Sequence, residues 1–252
     1  MQPAVHVFPD IEALSRAVAE ATVGIIRSAI SQQGECTLVL SGGTTPRSLY
    51  RLLGSVYRNE IPWERVHLFW GDERYVPPDD PASNFRMVKE TLLDAISIPV
   101  TNVYAMPTGH ADPNAAAREY EALLARRVNG GGRRFDLILL GLAPDGHIAS
   151  LFPGSKALEE SERRVVAVRV PKEPPQRLTL TLPAINRAAH VHFLVAGKAK
   201  AGALHRVVVG PCDVQTCPAV GVKPLDGTVT WWVDEAAATF LGGAVRSQVP
   251  SR

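Results

Sequence analysis

The chain has 252 residues, of which 46% are hydrophobic, and its formal net charge is +2 at pH 7. This composition suffices for a large core. The near balance of charge argues against the clustered basic surface that nucleic-acid-binding and membrane-surface proteins need. An anionic ligand would therefore have to be held by a few local cations.

The cysteines and the apolar segments further restrict the class of protein to which the chain can belong. Cys36, Cys212 and Cys217 form no even framework; a disulfide between Cys212 and Cys217 is conceivable, but we expect reduced thiols. The sequence contains no CxxC pair and no close His/Cys cluster of the kind that binds zinc, so we expect no metal. The N-terminus lacks a signal-peptide pattern, and no stretch approaches 18 apolar residues. We expect a soluble cytoplasmic protein with no nucleic-acid or membrane partner.

Short apolar runs alternate with helix-like segments along the chain. One predicted helix runs from about Ile11 to Ser31 and ends at Gly34, and another begins at Asp112 and Pro113 and ends at Gly130–Gly132. The predicted strands are Cys36–Ser41, Val66–Trp70, Asn102–Ala105, Phe135–Gly141, Val165–Val170 and Val191–Ala196. Several are continuous apolar runs, which are typical of parallel strands covered on both faces. The pattern predicts one α/β domain over residues 1–252, with a mostly parallel sheet between helices on both faces.

The loop after the first of these strands combines two glycines with a predicted helix start. Gly42 and Gly43 would let the backbone approach a ligand. A threonine of the pair Thr44 and Thr45 is an N-cap candidate, and Pro46 is at the predicted first helical position. The free N–H groups of such a helix start favour an anion. A tight, well-capped turn without a ligand is the alternative interpretation.

Charged residues follow the strand Val66–Trp70 at once. Asp72, Glu73 and Arg74 are costly to crowd behind an apolar strand unless they pair or serve a site. Asp72 and Arg74 are two residues apart, so in an extended segment they point the same way. The alternative is an exposed loop that contains an ion pair, and the two interpretations are evenly balanced.

The loop from Gly141 to Gly154 carries the histidine best placed for chemistry. A buried-type strand ends there in a turn that presents Asp145 and His147. Histidine is the side chain best able to take up and return a proton near neutral pH, and Asp145 could orient it. A purely structural histidine is the alternative, and His110 is the nearest competitor for a functional role.

Two later segments of the chain contribute basic residues that could bind an anion. Arg177 lies in the segment RLTLTLPAIN, and Lys198 and Lys200 follow the strand Val191–Ala196 at the start of another helical stretch. At least one of these lysines could reach an anion at the sheet edge, although ordinary solvated lysines are the alternative.

Taken in order, these segments resemble the 6-phosphogluconolactonase family, in the larger group that includes glucosamine-6-phosphate deaminases. The matching pieces are LVLSGGTTPRSLY, FWGDERYVPPDDPASNF, FDLILLGLAPDGHIASLFPG, RLTLTLPAIN and VHFLVAGKAKAGAL. The resemblance extends from about Pro9 to Ala238. It implies a three-layer, Rossmann-like fold of the sugar-phosphate isomerase/lactonase type.

The chain departs from the family pattern Gly-x-Gly-x-Asp-Gly-His-Thr-Ala at two positions. Ala143 replaces the second glycine, which matters only if that backbone needs a positive φ, and Ile148 replaces the threonine, as in the deaminase form of the motif. The deaminases, however, carry a glutamate shortly after the histidine. Here Ser150, Leu151, Phe152 and Pro153 follow, with no carboxylate before Glu159, so the lactonase interpretation is favoured.

The resemblance implies hydrolysis of 6-phospho-D-glucono-1,5-lactone to 6-phospho-D-gluconate in the oxidative pentose phosphate pathway, without metal or organic cofactor. It implies His147 as general base, Arg74 as oxyanion stabiliser, and Asp72 or Asp145 as the support of His147 or Arg74. The implied phosphate-binding residues are Gly42, Gly43, Thr44, Thr45, Arg47, Arg177 and Lys200. We expect a monomer or small homo-oligomer. A non-catalytic sugar-phosphate-binding regulator is the alternative of a different class.

Overall fold

The computed structural model describes residues 4–128 and 134–243, which contain two sheets. Seven parallel strands form the larger sheet. In spatial order they are β1 (Ala4–Phe8), β10 (Thr228–Asp234), β9 (His190–Val195), β6 (Leu137–Gly141), β2 (Cys36–Leu40), β3 (Val66–Trp70) and β5 (Val103–Tyr104). The smaller sheet is antiparallel and consists of β4 (Asp72–Arg74), β8 (Gln176–Leu180) and β7 (Val165–Arg169).

Helices cover both faces of the large sheet, as the predicted three-layer α/β class requires. They are α1 (Ile11–Gln33), α2 (Thr45–Gly54), α3 (Asn84–Thr91), α4 (Pro113–Arg127), α5 (Leu182–Ile185) and α6 (Ala201–Val208). Helices α1 to α3 lie in the crossovers that carry the chain towards the β5 edge of the sheet. Helices α4 and α6 lie in the crossovers that carry it back towards the β1 edge. Because such crossovers are right-handed, the two groups lie on opposite faces.

Local sequence signals set the helix ends. Helix α1 begins where the Asp10 carboxylate accepts the N–H of Ala13 at 2.8 Å, and it ends at Gly34, whose φ is +85°. Asp112 caps α4 in the same way by accepting from Asn114 and Ala115. All five residues of β2 are buried, as a central parallel strand requires.

The six predicted strands are all present, with ends shifted by at most two residues. The sequence prediction was incomplete at β1, β4, β8 and β10, which were not assigned as strands. The predicted strand Val165–Val170 corresponds to β7 and lies in the antiparallel sheet. The alternative of an exposed loop at Asp72–Arg74 was wrong, since Asp72 and Glu73 are buried and β4 forms by pairing with β8 from far along the chain. The predicted helix end at Gly130–Gly132 lies outside the described residues.

The expectation of reduced thiols was wrong for two cysteines. Cys212 and Cys217 form a disulfide, with Cα atoms 6.0 Å apart, a separation that suits a bridge. Cys36 is free and buried. The main apolar core extends from Val5 to Leu241 in one cluster. This supports the single domain, which stays a prediction.

Within residues 4–128 and 134–243, no helix has the length and apolar character needed to cross a bilayer.

Candidate active site

A cavity of about 220 Å³ lies at the carboxyl ends of β2 and β6, the two neighbouring strands at the centre of the large sheet. From β2 the chain continues to β3 and β5 on one side, whereas from β6 it continues to β9 and β10 on the other. Such a reversal opens a crevice between the two loops, where α/β proteins bind ligands. The lining residues are Ser41, Gly42, Gly43, Thr44, Asp72, Arg74, Asn84, Gly141, Leu142, Ala143, Pro144, His147, Ala149, Arg177 and Lys200.

His147 is presented by a tight turn after β6. Gly146 donates its N–H to the carbonyl of Ala143 at 2.9 Å, and Ala143 donates to the carbonyl of His147 at 3.1 Å. Gly146 has a φ of +90°, which favours glycine. The turn places Asp145 Oδ1 2.6 Å from His147 Nδ1. With the carboxylate accepting from Nδ1–H, Nε2 carries the lone pair and is the nitrogen available to the cavity.

The surroundings of His147 favour its neutral form. Its side chain is 14% exposed, and its ring stacks on Phe152 with the centroids 3.9 Å apart. Burial lowers the pKa of His147, and the nearby Asp145 carboxylate opposes that shift without reversing it. A neutral imidazole with Nε2 free can accept a proton near neutral pH.

A second cation contacts the carboxylate behind His147. Lys172 Nζ lies 3.3 Å from Asp145 Oδ2 and 5.5 Å from the centre of the Phe152 ring. Burial opposes ionisation of Asp145, but His147 and Lys172 outweigh it, so the pKa of this carboxyl is lowered. Asp145 is thus an ionised carboxylate shared between an imidazole and an ammonium group.

Asp72 is held by groups other than His147. The residue is 5% exposed, Ser150 Oγ donates to its Oδ2 at 2.6 Å, and Asn84 Nδ2 donates to its Oδ1 at 3.3 Å. Asn84 Nδ2 also donates to the Asp72 carbonyl at 2.9 Å. A Cβ on Gly42 would lie 1.9 Å from Asn84 Oδ1, so any larger residue would force the Asn84 side chain to move. Of the two carboxylates predicted to support His147, Asp145 makes the contact.

Glu73 stabilises the site through hydrogen bonds on the opposite face of β4. Its carboxylate is 2% exposed and accepts the N–H groups of Arg74, Asn84 and Phe85 and the hydroxyl of Ser83. Burial raises the pKa of Glu73, and the backbone N–H groups oppose the shift. The carboxylate joins β4 to the start of α3, which places Asn84 against Asp72.

Two arginines face each other across the small sheet. Arg74 of β4 pairs directly with Arg177 of β8, and like charges at such positions destabilise a sheet. Burial lowers the pKa of Arg177, with Asp72 opposing and Arg74 adding to that effect. Arg74 Nε is buried without a hydrogen-bond partner among the described residues. With Lys200, three cations line the cavity against one carboxylate, Asp72, which favours an anionic ligand.

The start of α2 adds backbone donors to these cations. Thr44 occupies the N-cap position, but its φ and ψ of −81° and −36° are helical and no side-chain hydrogen bond caps the helix. The predicted threonine cap was therefore wrong. Pro46 has no N–H and the Arg47 N–H donates to the Thr44 carbonyl at 3.4 Å, so the Thr45 N–H is the first-turn donor that the described residues leave open to an anion. Lys200 Nζ donates to Thr45 Oγ1 at 3.3 Å, which ties the second basic segment to this helix start. Burial lowers the pKa of Lys200, with Asp234 opposing.

The structure brings most of the predicted site residues together. Eight line the cavity: Gly42, Gly43, Thr44, Asp72, Arg74, His147, Arg177 and Lys200. Asp145 and Thr45 contact lining residues from behind. Arg47, in the first turn of α2, is half-buried and is not among the lining residues. Lys198 is exposed, so of the two lysines Lys200 faces the site.

Sequence reasoning assigned no role to four residues that complete this arrangement. Asn84 and Ser150 hold Asp72, while Phe152 and Lys172 contact His147 and Asp145. Ser150 and Phe152 lie in the loop that carries His147, so their position was a usable signal. Asn84 and Lys172 act from other parts of the chain, and only the pairing of β4 with β8 and the start of α3 bring them near.

The two departures from the family motif leave the cavity intact. Ala143 is not among the residues with positive φ, so its methyl group causes no backbone strain. Ile148 is completely buried in the main core and its side chain does not line the cavity. Ala149, in contrast, has a φ of +46°, an uncommon conformation that marks a constrained backbone at the site.

Known proteins share both the sequence and the fold. The chain matches the family described as glucosamine-6-phosphate isomerases/6-phosphogluconolactonase over residues 9–231. It is 45% identical to a 6-phosphogluconolactonase of Synechocystis over 219 residues, which cover 86% of this chain and 89% of the relative. It is 42% identical to a 6-phosphogluconolactonase of Mycobacterium tuberculosis over 248 residues, covering 96% and 99%.

A solved structure agrees with these matches. The 6-phosphogluconolactonase of Trypanosoma brucei superimposes with a TM-score of 0.84 at 29% identity, covering 96% of this chain and 99% of that one. The chain therefore belongs to the family of glucosamine-6-phosphate isomerases and 6-phosphogluconolactonases.

Proposed function

We propose that this protein hydrolyses 6-phospho-D-glucono-1,5-lactone to 6-phospho-D-gluconate, a step of the oxidative pentose phosphate pathway. The observation that carries the proposal is one cavity that contains both a neutral, carboxylate-supported His147 and three cations. The imidazole provides a base for water, and the cations suit a phosphorylated, anionic substrate. The family relatives named 6-phosphogluconolactonase support the same reaction.

His147 acts as the general base in this proposal. Its Nε2 takes a proton from a water molecule as the water oxygen attacks the lactone carbonyl carbon. When the tetrahedral intermediate collapses, the bond between that carbon and the ring oxygen breaks, and the imidazolium returns its proton to the ring oxygen. Asp145, 2.6 Å from Nδ1, stabilises the transient imidazolium and fixes the tautomer.

Arg74 stabilises the oxyanion that develops on the carbonyl oxygen. Arg74 lines the cavity, and its guanidinium is held in place because Nη1 donates to the Ala82 carbonyl. A fixed donor in such a place stabilises charge more than water does, because no solvent needs to reorganise. Asp72, held by Ser150 and Asn84, offsets part of the positive charge of the two arginines before substrate binds.

The phosphate binds in the same cavity, next to the start of α2. Its site is formed by the backbone N–H groups of Gly42, Gly43 and Thr45, together with the side chains of Arg177 and Lys200. Backbone donors and a helix terminus suit a dianion, and the cations add charge-assisted hydrogen bonds. We assign Arg47 no direct contact. We further propose a cytoplasmic enzyme that needs no cofactor and works as a monomer or small homo-oligomer.

The proposal is tested with freshly prepared lactone. Wild-type protein should release acid well above the spontaneous rate, as followed with a pH indicator, and should release no ammonia from glucosamine 6-phosphate. Ammonia release without acid release would indicate a deaminase. Binding of 6-phosphogluconate with neither reaction would indicate a regulator and would overturn the proposal.

A further inference from the structure

The disulfide-closed segment 212–217 packs directly against the loop that carries His147. A Cβ placed on Gly146 would lie 3.4 Å from Cys217 Cα and 3.7 Å from its Sγ, so a side chain at this position would be in van der Waals contact with the half-cystine. Ala219 donates its N–H to the Gly146 carbonyl at 3.4 Å. Gly146 immediately precedes His147, so this contact lies one residue from the proposed base.

The same segment supports the other end of that loop. Gly154 donates its N–H to the carbonyl of Gln215, inside the disulfide ring, at 2.8 Å. Gly154 lies two residues after Phe152, whose ring stacks on the His147 imidazole. The disulfide ring 212–217 thus contacts the chain on both sides of the His147–Phe152 pair.

Besides the disulfide, hydrogen bonds to Asp213 hold the disulfide ring in shape: the Thr216 hydroxyl lies 3.1 Å from Asp213 Oδ1 and 3.3 Å from the Asp213 carbonyl oxygen. Cys217 donates its N–H to the Asp213 carbonyl at 2.8 Å, and Thr216 donates to Asp213 Oδ1 at 2.9 Å. Cys217 is completely buried, whereas Cys212 is partly exposed. The covalent bond therefore joins an accessible turn to the buried residue that touches Gly146.

We propose that the Cys212–Cys217 disulfide is a positioning element for His147, so that the lactonase is more active with the bond closed than with it reduced. The inference rests on the function proposed above. Opening the ring frees the segment 212–217 and, with it, the supports of Gly146 and Gly154. A displacement of the base by about 1 Å is enough to cost up to a hundredfold in rate.

Reduction requires a dithiol. One thiolate attacks the accessible Cys212 sulfur, the S–S bond breaks, and Cys217 leaves as a thiolate that takes up a proton. The second thiol of the reductant then displaces Cys212 and forms the reductant's own disulfide. Two electrons and two protons pass to the protein, and the number of free thiols rises from one, Cys36, to three.

The test compares oxidised and dithiothreitol-reduced wild type with the Cys212→Ser variant. Thiol counts under denaturing conditions confirm each state. Reduction of wild type should lower kcat by roughly tenfold while KM changes less than about twofold, since the phosphate-binding groups are elsewhere. Cys212→Ser should match the reduced enzyme, and dithiothreitol should not change it further. Unchanged kcat in fully reduced wild type overturns the proposal.

A spectroscopic readout separates positioning from mere stabilisation and does not depend on turnover. The His147 ring protons experience the ring current of Phe152, so their NMR shifts should move towards those of an unstacked imidazole on reduction. A fall in melting temperature with unchanged kcat and unchanged His147 shifts would make the bond structural only. If oxidised wild type lacks lactonase activity, the proposed function fails, and the NMR shifts still decide whether the disulfide positions His147.

Discussion

Replacing Gly42 by alanine should break the support of Asp72. The added Cβ would lie 1.9 Å from Asn84 Oδ1, 2.3 Å from its Cγ and 2.7 Å from its Nδ2, so the amide must move. Its hydrogen bonds to the Asp72 carbonyl, at 2.9 Å, and to the Asp72 carboxylate, at 3.3 Å, are then lost. Gly42 has no positive φ, so the effect comes from the contact and not from backbone strain.

The expected cost follows from those two bonds. A neutral hydrogen bond contributes about 1 kcal/mol and one to a charged group about 1.5–3 kcal/mol. The free energy of unfolding should therefore fall by roughly 2–4 kcal/mol, because Asp72 is too buried to regain both partners from water. For a chain of this size, that loss corresponds to a melting temperature lower by roughly 5–15 °C.

A double-mutant cycle with Asn84→Ala isolates the contact. Without the amide the new methyl group has room, so Gly42→Ala should cost far less in the Asn84→Ala background than in wild type. Gly141→Ala is the matched control for stability, since its Cβ would meet nothing within 4 Å. Chemical denaturation of the four proteins measures the cycle. Equal costs of Gly42→Ala in both backgrounds would refute the reasoning.

Three further predictions concern the proposed chemistry. Asp145→Asn should lower kcat by about 10²–10⁴-fold in steady-state assays because the amide can stabilise the wrong His147 tautomer; a loss below tenfold would contradict that role. Lys172→Met should raise the pKa of His147, since the Lys172 charge lowers it. Because the base must be neutral, the acid limb of the kcat/KM profile should then move to higher pH. An acid limb at the same pH in the variant would exclude this coupling. Lys200→Ala should mainly raise KM for the phosphorylated lactone, and an unchanged KM would remove Lys200 from the phosphate site.

The local signals of the sequence were sufficient for the central strands and for the main components of the site. Continuous apolar runs identified β2, β3, β6 and β9, since a strand buried on both faces needs them. The rule that loops follow the carboxyl ends of parallel strands then brought Gly42, Asp72 and His147 to one edge of the sheet.

What the sequence did not reveal depends on distant pairing. The antiparallel contact of β4 with β8 puts Arg74 opposite Arg177, and no local pattern encodes that partnership. The support of Asp72 by Ser150 joins residues 78 positions apart. The disulfide depends on the chain path between Cys212 and Cys217, which brings the Cα atoms to 6.0 Å. Composition alone favoured the wrong redox state.

The His147→Ala variant tests the central claim most directly. Its folding should be nearly unchanged by circular dichroism, because the imidazole faces the cavity and contributes one side-chain hydrogen bond, to Asp145. Hydrolysis of fresh 6-phosphogluconolactone, after subtraction of spontaneous opening, should fall by about 10²–10⁴-fold relative to wild type. Turnover by the folded variant close to that of wild type would contradict His147 as the base that activates water.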